Sequence, residues 1–392
     1  MHVVLDARYL ARHESGVGHY TRRLIAGLAG IDRVNRYTCV VARDGPGLPV
    51  SQPNVSSWST RVSFENHLTG DLWLLGYLPW RLARQGTDVY HGPAVFLPLI
   101  KRGYRTVVTI HDLVSFLFPE TVPRKYSLYM RLMTRLAVQT ADRVIAVSRA
   151  TQEDLRRILR VPTDRIVVIH EAVGPEFRVR PSPAALDAVV ARYGLRRPYC
   201  LFVGNLEPRK NLARLIEAFA LLKARRGPPA DLQLALVGTR AWLYQGIFRA
   251  VEAHGLARDV AFTGYVPDAD LPALYAAATC FVFPSVYEGF GLPVLEAMAA
   301  GTPVVASRAG AIPEVAGDAA LLVDAARPGE LAEALAAVVS DPALHDRLAT
   351  AGLARAAHFD WETVARQTLE VYEAAYRLTP RAAPGPRAAE RR

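Results

Sequence analysis

Cysteine is nearly absent: there are three in 392 residues, Cys39, Cys200 and Cys280, each alone inside an apolar run. No pair has the spacing of a metal knuckle or a redox motif, which excludes a disulfide framework and a thiolate zinc site. The thiols are expected to be buried, in a reducing cytoplasm. No apolar run reaches the roughly 18–20 residues that cross a bilayer. The first seven residues alternate like a strand and run on to Arg8 and Arg12, without the long apolar stretch and small-residue cleavage site of a signal peptide. RNA-binding aromatic motifs, zinc-finger spacings and helix-turn-helix patterns are also missing, so nucleic acid is not an expected partner. Acidic side chains are the minority charge, 37 against 47 Lys plus Arg, and the net +10 favours an anionic partner such as a phosphate-bearing ligand or an acidic lipid surface.

The chain is 51% hydrophobic and too long for one ordinary core, so two domains are expected. Short β-rich apolar runs alternate with amphipathic stretches. Strands are predicted over 2–7, 37–42, 88–91, 106–110, 144–147 and 166–169, and helices over 18–30, 72–85, 125–140 and 151–160. Three prolines within nine residues, Pro175, Pro181 and Pro183, interrupt the pattern. It then restarts with strands over 200–203, 233–237, 260–263, 280–283, 304–306 and 320–323, with helices between them and a last helix over 361–376. Such alternation implies parallel, doubly wound sheets. The expected organisation is a first α/β domain over 1–175, a linker over 176–197 and a second α/β domain over 198–358. A C-terminal helix over 359–378 and a disordered basic tail over 379–392 complete it. Ligands of such folds bind at the C-terminal edges of the strands.

Four groups lie at predicted strand ends. In Glu288-Gly-Phe-Gly-Leu-Pro-Val-Leu-Glu296, Pro293 suits the first turn of a helix. Gly289 and Gly291 let the backbone approach a ligand, and free amides at the turn favour oxygen-rich or anionic groups. The two carboxylates then face that ligand at different depths. In Val203-Gly-Asn-Leu-Glu-Pro-Arg209-Lys210-Asn211, Gly204 frees the turn, and two cations stand at a helix start, against the dipole. A polyanion such as a diphosphate would pair with both. Gly16 and Gly18 form a glycine pair that lacks the third glycine and the downstream acid of a dinucleotide fingerprint, which disfavours an oxidoreductase. His111-Asp112 ends the strand 106–110.

With these residues the chain resembles a retaining glycosyltransferase of family 4, whose two facing Rossmann-like doubly wound domains form the GT-B fold. The marks are Glu288 to Glu296, Phe283-Pro284-Ser285, Ala299-Ala300-Gly301-Thr302-Pro303, Arg209-Lys210-Asn211, Gly264-Tyr265-Val266 and Pro313-Glu314-Val315. Leu236-Val-Gly-Thr-Arg-Ala-Trp242 is similar to the mannosyltransferase-like branch. The resemblance implies a C-terminal helix that crosses back to the first domain. It implies that Arg209, Lys210 and Gly204 hold the donor diphosphate, and that Glu296 holds the ribose. Glu288, Gly289, Phe290 and Gly291 would hold the sugar, with His111 and Glu288 nearest the chemistry. Gly238, Thr239, Tyr265 and Val266 would flank the base, and Gly16 and Gly18 would line the cleft. A hexose, mannose favoured, would pass from a nucleotide-diphosphate sugar, GDP-mannose favoured, to a glycan or lipid-linked acceptor, with no cofactor and no metal. UDP- or ADP-linked glucosyl transfer and a non-catalytic nucleotide-sugar binder are the alternatives. Asp268-Ala-Asp270 spells a metal motif, yet its place before a predicted helix makes the aspartates helix caps. Arg124, Lys125, Arg131 and Arg135 share a stretch with apolar side chains, readable as the solvated face of a packed helix or as a peripheral contact with an anionic membrane.

Overall fold

The computed structural model describes residues 1–10, 16–43, 45–62, 70, 72–225 and 229–378. Ser15 of the glycine loop and the stretch 379–392 lie outside the described residues. The first sheet is entirely parallel, in the order β3-β2-β1-β4-β5-β6-β7. Its strands are β1 (His2–Asp6), β2 (Arg36–Ala42), β3 (Val55–Thr60), β4 (Val89–Gly92), β5 (Arg105–Ile110), β6 (Arg143–Ala146) and β7 (Ile166–Val168). β1 and β4 are buried along their whole length, as central strands covered on both faces must be. β3 escaped the sequence reading because it is a polar edge strand, Val-Ser-Ser-Trp-Ser-Thr, with an exposed pattern.

Helix α1 (Gly16–Ile31) covers one face of this sheet. The other face is covered by a π-helical turn, Trp73–Tyr77, that continues as α2 (Leu78–Arg84), and by α3 (Arg124–Thr140). Trp73, Leu74, Leu78 and Leu82 share a core there with Met133, Ala137 and Val138. Helix α4 (Arg149–Leu159) starts at Ser148, whose hydroxyl accepts from the Thr151 amide.

The second sheet is also parallel, in the order β10-β9-β8-β11-β12-β13. It contains β8 (Tyr199–Val203), β9 (Gln233–Val237), β10 (Val260–Gly264), β11 (Cys280–Phe283), β12 (Val304–Ser307) and β13 (Leu321–Val323). The stretch read as a linker holds a helix, α5 (Pro183–Arg192). Pro183 sits in its first turn, and the Ser182 hydroxyl accepts from the Ala185 amide, so one of the interrupting prolines marks a helix start. The helices of the second domain include α6 (Leu212–Lys223), α7 (Gln245–Ala253), α8 (Leu271–Ala277), α9 (Leu292–Ala299), α10 (Ile312–Ala316), α11 (Pro328–Ser340) and α12 (Pro342–Ala356).

The last helix, α13 (Trp361–Arg377), begins at Asp360, whose carboxylate accepts from the Thr363 amide at 2.8 Å. It crosses back to the first domain, as expected, and packs along α1 and across β4 and β5. Its Tyr372 is fully buried and hydrogen-bonds His91 Nδ1 at 2.6 Å, while His91 Nε2 meets Thr109 Oγ1 at 2.9 Å. Burial, with the charge of His111 nearby, pushes the His91 pKa down to about 3, so the ring is neutral. Tyr372→Phe would leave one buried ring nitrogen without a partner. We expect a loss of about 1–3 kcal/mol, read as a lower urea midpoint at unchanged slope.

Candidate active site

Each sheet reverses its strand order at one place, between β1 and β4 and between β8 and β11. Loops leaving the strands at such points form the crevice where doubly wound folds bind ligands. After β8 the chain turns at Gly204, whose amide donates to Val237 O at 2.9 Å, and Leu206 N donates to Thr239 O at 2.8 Å. Gly204, Gly238 and Thr239 therefore lie together, and Thr239 Oγ1 donates to Asn205 Oδ1 at 3.0 Å. A single 3-10 turn, Pro208–Lys210, then presents Arg209 and Lys210 before α6. The loop after β11 is tied to this turn by Val286 N donating to Arg209 O at 2.9 Å.

That bond places Glu288 against both cations. Lys210 Nζ lies 2.6 Å from Glu288 Oε1, and an Arg209 guanidinium nitrogen lies 2.7 Å from the same oxygen. Arg209 also pairs with Glu207 at 2.7 Å and donates to Tyr287 O at 3.1 Å. Two carboxylates thus already balance the cations for which the sequence reading invoked only a polyanion. Burial opposes ionisation of Glu288, but Arg209 and Lys210 outweigh it and hold the carboxyl down to about 2. Glu288 is therefore a charged acceptor at neutral pH and has no proton to give.

Gly291, at φ +100°, opens α9, a conformation that a side chain would strain. The Phe290 ring is buried and packs against Phe359. Glu296, just over a turn into α9, points elsewhere than Glu288. Tyr275 OH donates to it at 2.8 Å, and it lines a cavity of about 480 Å³ with His19, Arg22, Glu171, Glu176 and Asp268. Burial, with the carboxylates of Asp268, Glu176 and Glu171 around it, pushes the Glu296 carboxyl up to about 7 against the Tyr275 hydrogen bond. Tyr265 and Val266 follow β10, the first half-exposed and the second buried. Gly16 and Gly18 form the first turn of α1 rather than a loop before it, and His19 and Tyr20 next to them face the cavity.

The helix-cap reading of Asp268 and Asp270 is corrected. Asp270 stands at the start of α8 without a side-chain cap bond. Its carboxylate is taken instead by Arg192 at 2.8 Å and by the Tyr193 hydroxyl at 2.6 Å. Asp268 is half-exposed in the cavity and lies 3.6 Å from His19 of the first domain. Both find partners brought close only by the fold, one on α5 and one on α1.

His111 reaches the same cleft from the end of β5. A Cβ built on Gly289 would overlap the His111 carbonyl and touch Asp112, so the two domains meet there backbone to backbone. Ser148 Oγ donates to Gly289 O at 2.6 Å, and Tyr287 OH donates to Asp154 at 2.8 Å. Glu314 accepts from the Arg149 and Ala150 amides at 2.9 and 3.3 Å and bonds His170 Nε2 at 2.6 Å. Sequence reasoning gave no role to Ser148, Asp154, His170 or Glu171, since each acts through a partner more than fifty residues away. Glu314 was visible only as a family mark.

Residues 15–177 match the description Glycosyltransferase Family 4, and residues 192–355 match Glycosyl transferases group 1. O-antigen chain mannosyltransferase B of Escherichia coli is 37% identical over 297 residues, 75% of this chain and 76% of that protein. The chain is a family 4 glycosyltransferase. The likeness to the E. coli protein also bears out the mannosyltransferase-like branch. Alpha-maltose-1-phosphate synthase of Mycolicibacterium smegmatis is 32% identical over 91% of this chain and 95% of that protein. Among solved structures, sucrose-phosphate synthase from Thermosynechococcus elongatus superposes with a TM-score of 0.76 over 96% of this chain and 99% of that one, at 22% identity, which supports the GT-B fold.

In this family 4 chain the fit of Gly289 under His111 makes a direct test. Gly289→Ala should force the domains apart while each folds normally. A displacement of about 1 Å at the chemistry typically costs on the order of 100-fold in rate. We expect that loss in sugar transfer with the secondary structure unchanged by circular dichroism, and wild-type turnover would show that the domains need not approach this closely.

Proposed function

We propose that this glycosyltransferase moves a hexose, mannose by preference, from a nucleotide-diphosphate donor to a hydroxyl of a glycan or lipid-linked acceptor. The configuration at the anomeric carbon is retained and no metal takes part. The observation that carries the reading is the Lys210–Glu288–Arg209 cluster at the β8/β11 switch point, facing His111 across Gly289. Diphosphate oxygens would take over donors of Arg209 and Lys210, and the Glu288 carboxylate so released would accept from sugar hydroxyls. Glu296 in the cavity suits the ribose, and the neighbouring turns after β9 and β10, with Gly238, Thr239, Tyr265 and Val266, suit the base.

The C1–oxygen bond then breaks, and its electron pair leaves with the diphosphate, whose growing charge the two cations stabilise. The acceptor oxygen attacks C1 from the face the diphosphate leaves, and its proton passes to the departing phosphate. Glu288, once released from its cations, is committed to the sugar hydroxyls, which leaves no carboxylate assigned to attack. The two cations supply the positive charge that a divalent ion would supply, and Asp268 and Asp270 point to different partners.

The half-exposed Asp268 carboxylate supports a guanine base, whose N1–H and N2–H₂ edge would donate to it. The likeness to O-antigen chain mannosyltransferase B supports mannose and a place in cell-envelope polysaccharide synthesis. A glucosyl donor is the second reading, favoured by the nearly full-length likeness to alpha-maltose-1-phosphate synthase. A panel of GDP-, UDP- and ADP-sugars decides between them, by thermal shift, since a ligand of the folded state raises its stability, and then by transfer. GDP-mannose should give the largest shift, and transfer should survive EDTA. Folded Lys210→Ala should lose about 100- to 1000-fold in turnover, or about 2.7–4 kcal/mol, and Asp268→Asn about tenfold or more of its preference for GDP over UDP. Near wild-type transfer by Lys210→Ala would overturn the placement of the phosphates, and a metal requirement would overturn the charge argument.

We also infer a peripheral contact with anionic lipid on the face made by α2 and α3. Leu72, Leu75, Tyr77, Trp80, Leu128 and Leu132 are exposed there, beside Arg84, Arg124 and Lys125. The stretches 72–84 and 124–140 contain no acidic residue. Among the described residues no helix is long and apolar enough to cross a membrane. Exposed apolar side chains within a basic rim fit an interfacial seat. Of the four basic residues noted in the sequence, Arg131 and Arg135 lie over the Phe116 ring at 5.4 and 5.2 Å. Flotation with phosphatidylserine vesicles should show binding that weakens with salt and is lost in Trp80→Glu/Leu128→Glu. Absence of binding at low salt would remove the contact.

A further inference from the structure

His111 is held by an acceptor at each ring nitrogen. Nε2 lies 2.8 Å from the carbonyl oxygen of Pro93, which can only accept, so Nε2 carries hydrogen. Nδ1 lies 2.7 Å from Glu171 Oε1. With Glu171 ionised, Nδ1 carries hydrogen as well, and the ring is an imidazolium. Both side chains are largely withdrawn from solvent, at 20% and 11% exposure for His111 and Glu171, so the pair is little screened by water.

The groups around the ring agree with this state. His91 on the neighbouring strand β4 is neutral. Tyr20 of α1 stands edge-on to the ring at 4.9 Å, with its hydroxyl on Thr109 at 3.1 Å. Asp112 follows His111 in the chain, and the facing loop of the second domain presents the uncharged peptide of Gly289. Burial alone would lower the His111 pKa, but Glu171, the Pro93 carbonyl and Asp112 raise it above the ordinary histidine value.

We propose that Glu171 is a positioning residue that holds His111 in the doubly protonated form, with both N–H groups spent on Glu171 and the Pro93 carbonyl, so that the ring takes no proton during transfer. The placement of His111 beside the sugar rests on the function proposed above. The consequence for the mechanism is that the acceptor proton has no base at His111 and must leave with the diphosphate. The pair is neutral overall, so it fixes the ring in the cleft wall without setting an unbalanced positive charge beside the cationic character that develops at C1.

The test has one arm that does not depend on transfer. Nitrogen-15 NMR of ring-labelled histidine should show both His111 nitrogens protonated in the wild-type protein at pH 8. In Glu171→Gln, which keeps an acceptor oxygen but removes the charge, the ring should titrate near or below its ordinary pKa of about 6.5. The second arm is kcat at saturating donor, which separates the ring from donor-affinity effects of Glu296. It should be flat from pH 6.5 to 8 for the wild type and rise about twofold over that range for the variant, as the unbalanced charge of a ring with pKa about 6.5 is lost, with little change in donor KM. A wild-type ring with one bare nitrogen at pH 8, or equal kcat profiles for the two proteins, would overturn the proposal. If Glu171→Gln does not fold, the wild-type spectrum decides alone. Protonated nitrogens in a protein that transfers no sugar would instead count against the proposed function.

Discussion

One oxygen of the Glu288 carboxylate is shared between the Lys210 ammonium and the Arg209 guanidinium, and the cleft is organised around that contact. Taking such charges out of water costs several kcal/mol per ion unless each meets a partner at good geometry. The partners come from loops nearly eighty residues apart in the chain. They can meet only if β8 and β11 are neighbours, and the order β10-β9-β8-β11-β12-β13 provides this. The strand order of the second sheet and the charge pattern of its loops are therefore one design. A sheet in which β8 lay beside β12 would bury the same cations without their carboxylate. Removing a single member should likewise be felt by the other two, because a buried charge left unpaired is far more costly than a pair replaced as a unit.

The same loop makes the joint between the domains. Gly289 has no side chain, so its peptide can touch the His111 carbonyl, and its own carbonyl accepts from Ser148. Glu314 reaches the free amides at the start of α4, where a helix has donors without partners and the dipole favours a carboxylate. Beside these polar contacts Val114, Val122 and Phe118 of the first domain pack on Tyr287 of the second, and α13 ties the end of the chain back onto α1. The polar groups of this joint can return to water when the domains part, as closure around a ligand requires.

The strand–helix alternation showed through the sequence because central parallel strands are continuous apolar runs with little else to be. β3 did not, since an edge strand with serine at alternate positions lacks that signature. α5 did not, because the prolines at and before its start and its weak apolar face read as a break. At the site, Arg209, Lys210, Glu288 and Glu296 were legible as charged residues beside glycines at strand ends. Asp268 and Asp270 were misread as caps because local spacing is silent about Arg192, Tyr193 and His19, which take up their charges. Glu171 was missed for the same reason: nothing near it in sequence announces that His111, sixty residues earlier, lies 2.7 Å away.

Glu288 and Glu296 belong to one nine-residue motif, yet their carboxyls are driven in opposite directions, to about 2 and to about 7. Both are withdrawn from water, so burial alone cannot explain the difference. What differs is the company: two cations at Glu288, and three carboxylates around Glu296, to which, among the described residues, a tyrosine hydroxyl donates. Environments that separate the ionisation of paired carboxyls separate their roles. Glu288 stays charged and must be drawn from its cations by something more negative than itself, which a diphosphate is and a neutral sugar is not. Glu296, poised near neutrality, accepts hydroxyl donors at little cost and gains charge as they arrive. On the roles proposed above, this electrostatic asymmetry sets an order of events: the phosphates would engage Arg209 and Lys210 before Glu288 is free to grip the sugar. In that scheme a sugar without its nucleotide diphosphate would find Glu288 already occupied by its cations.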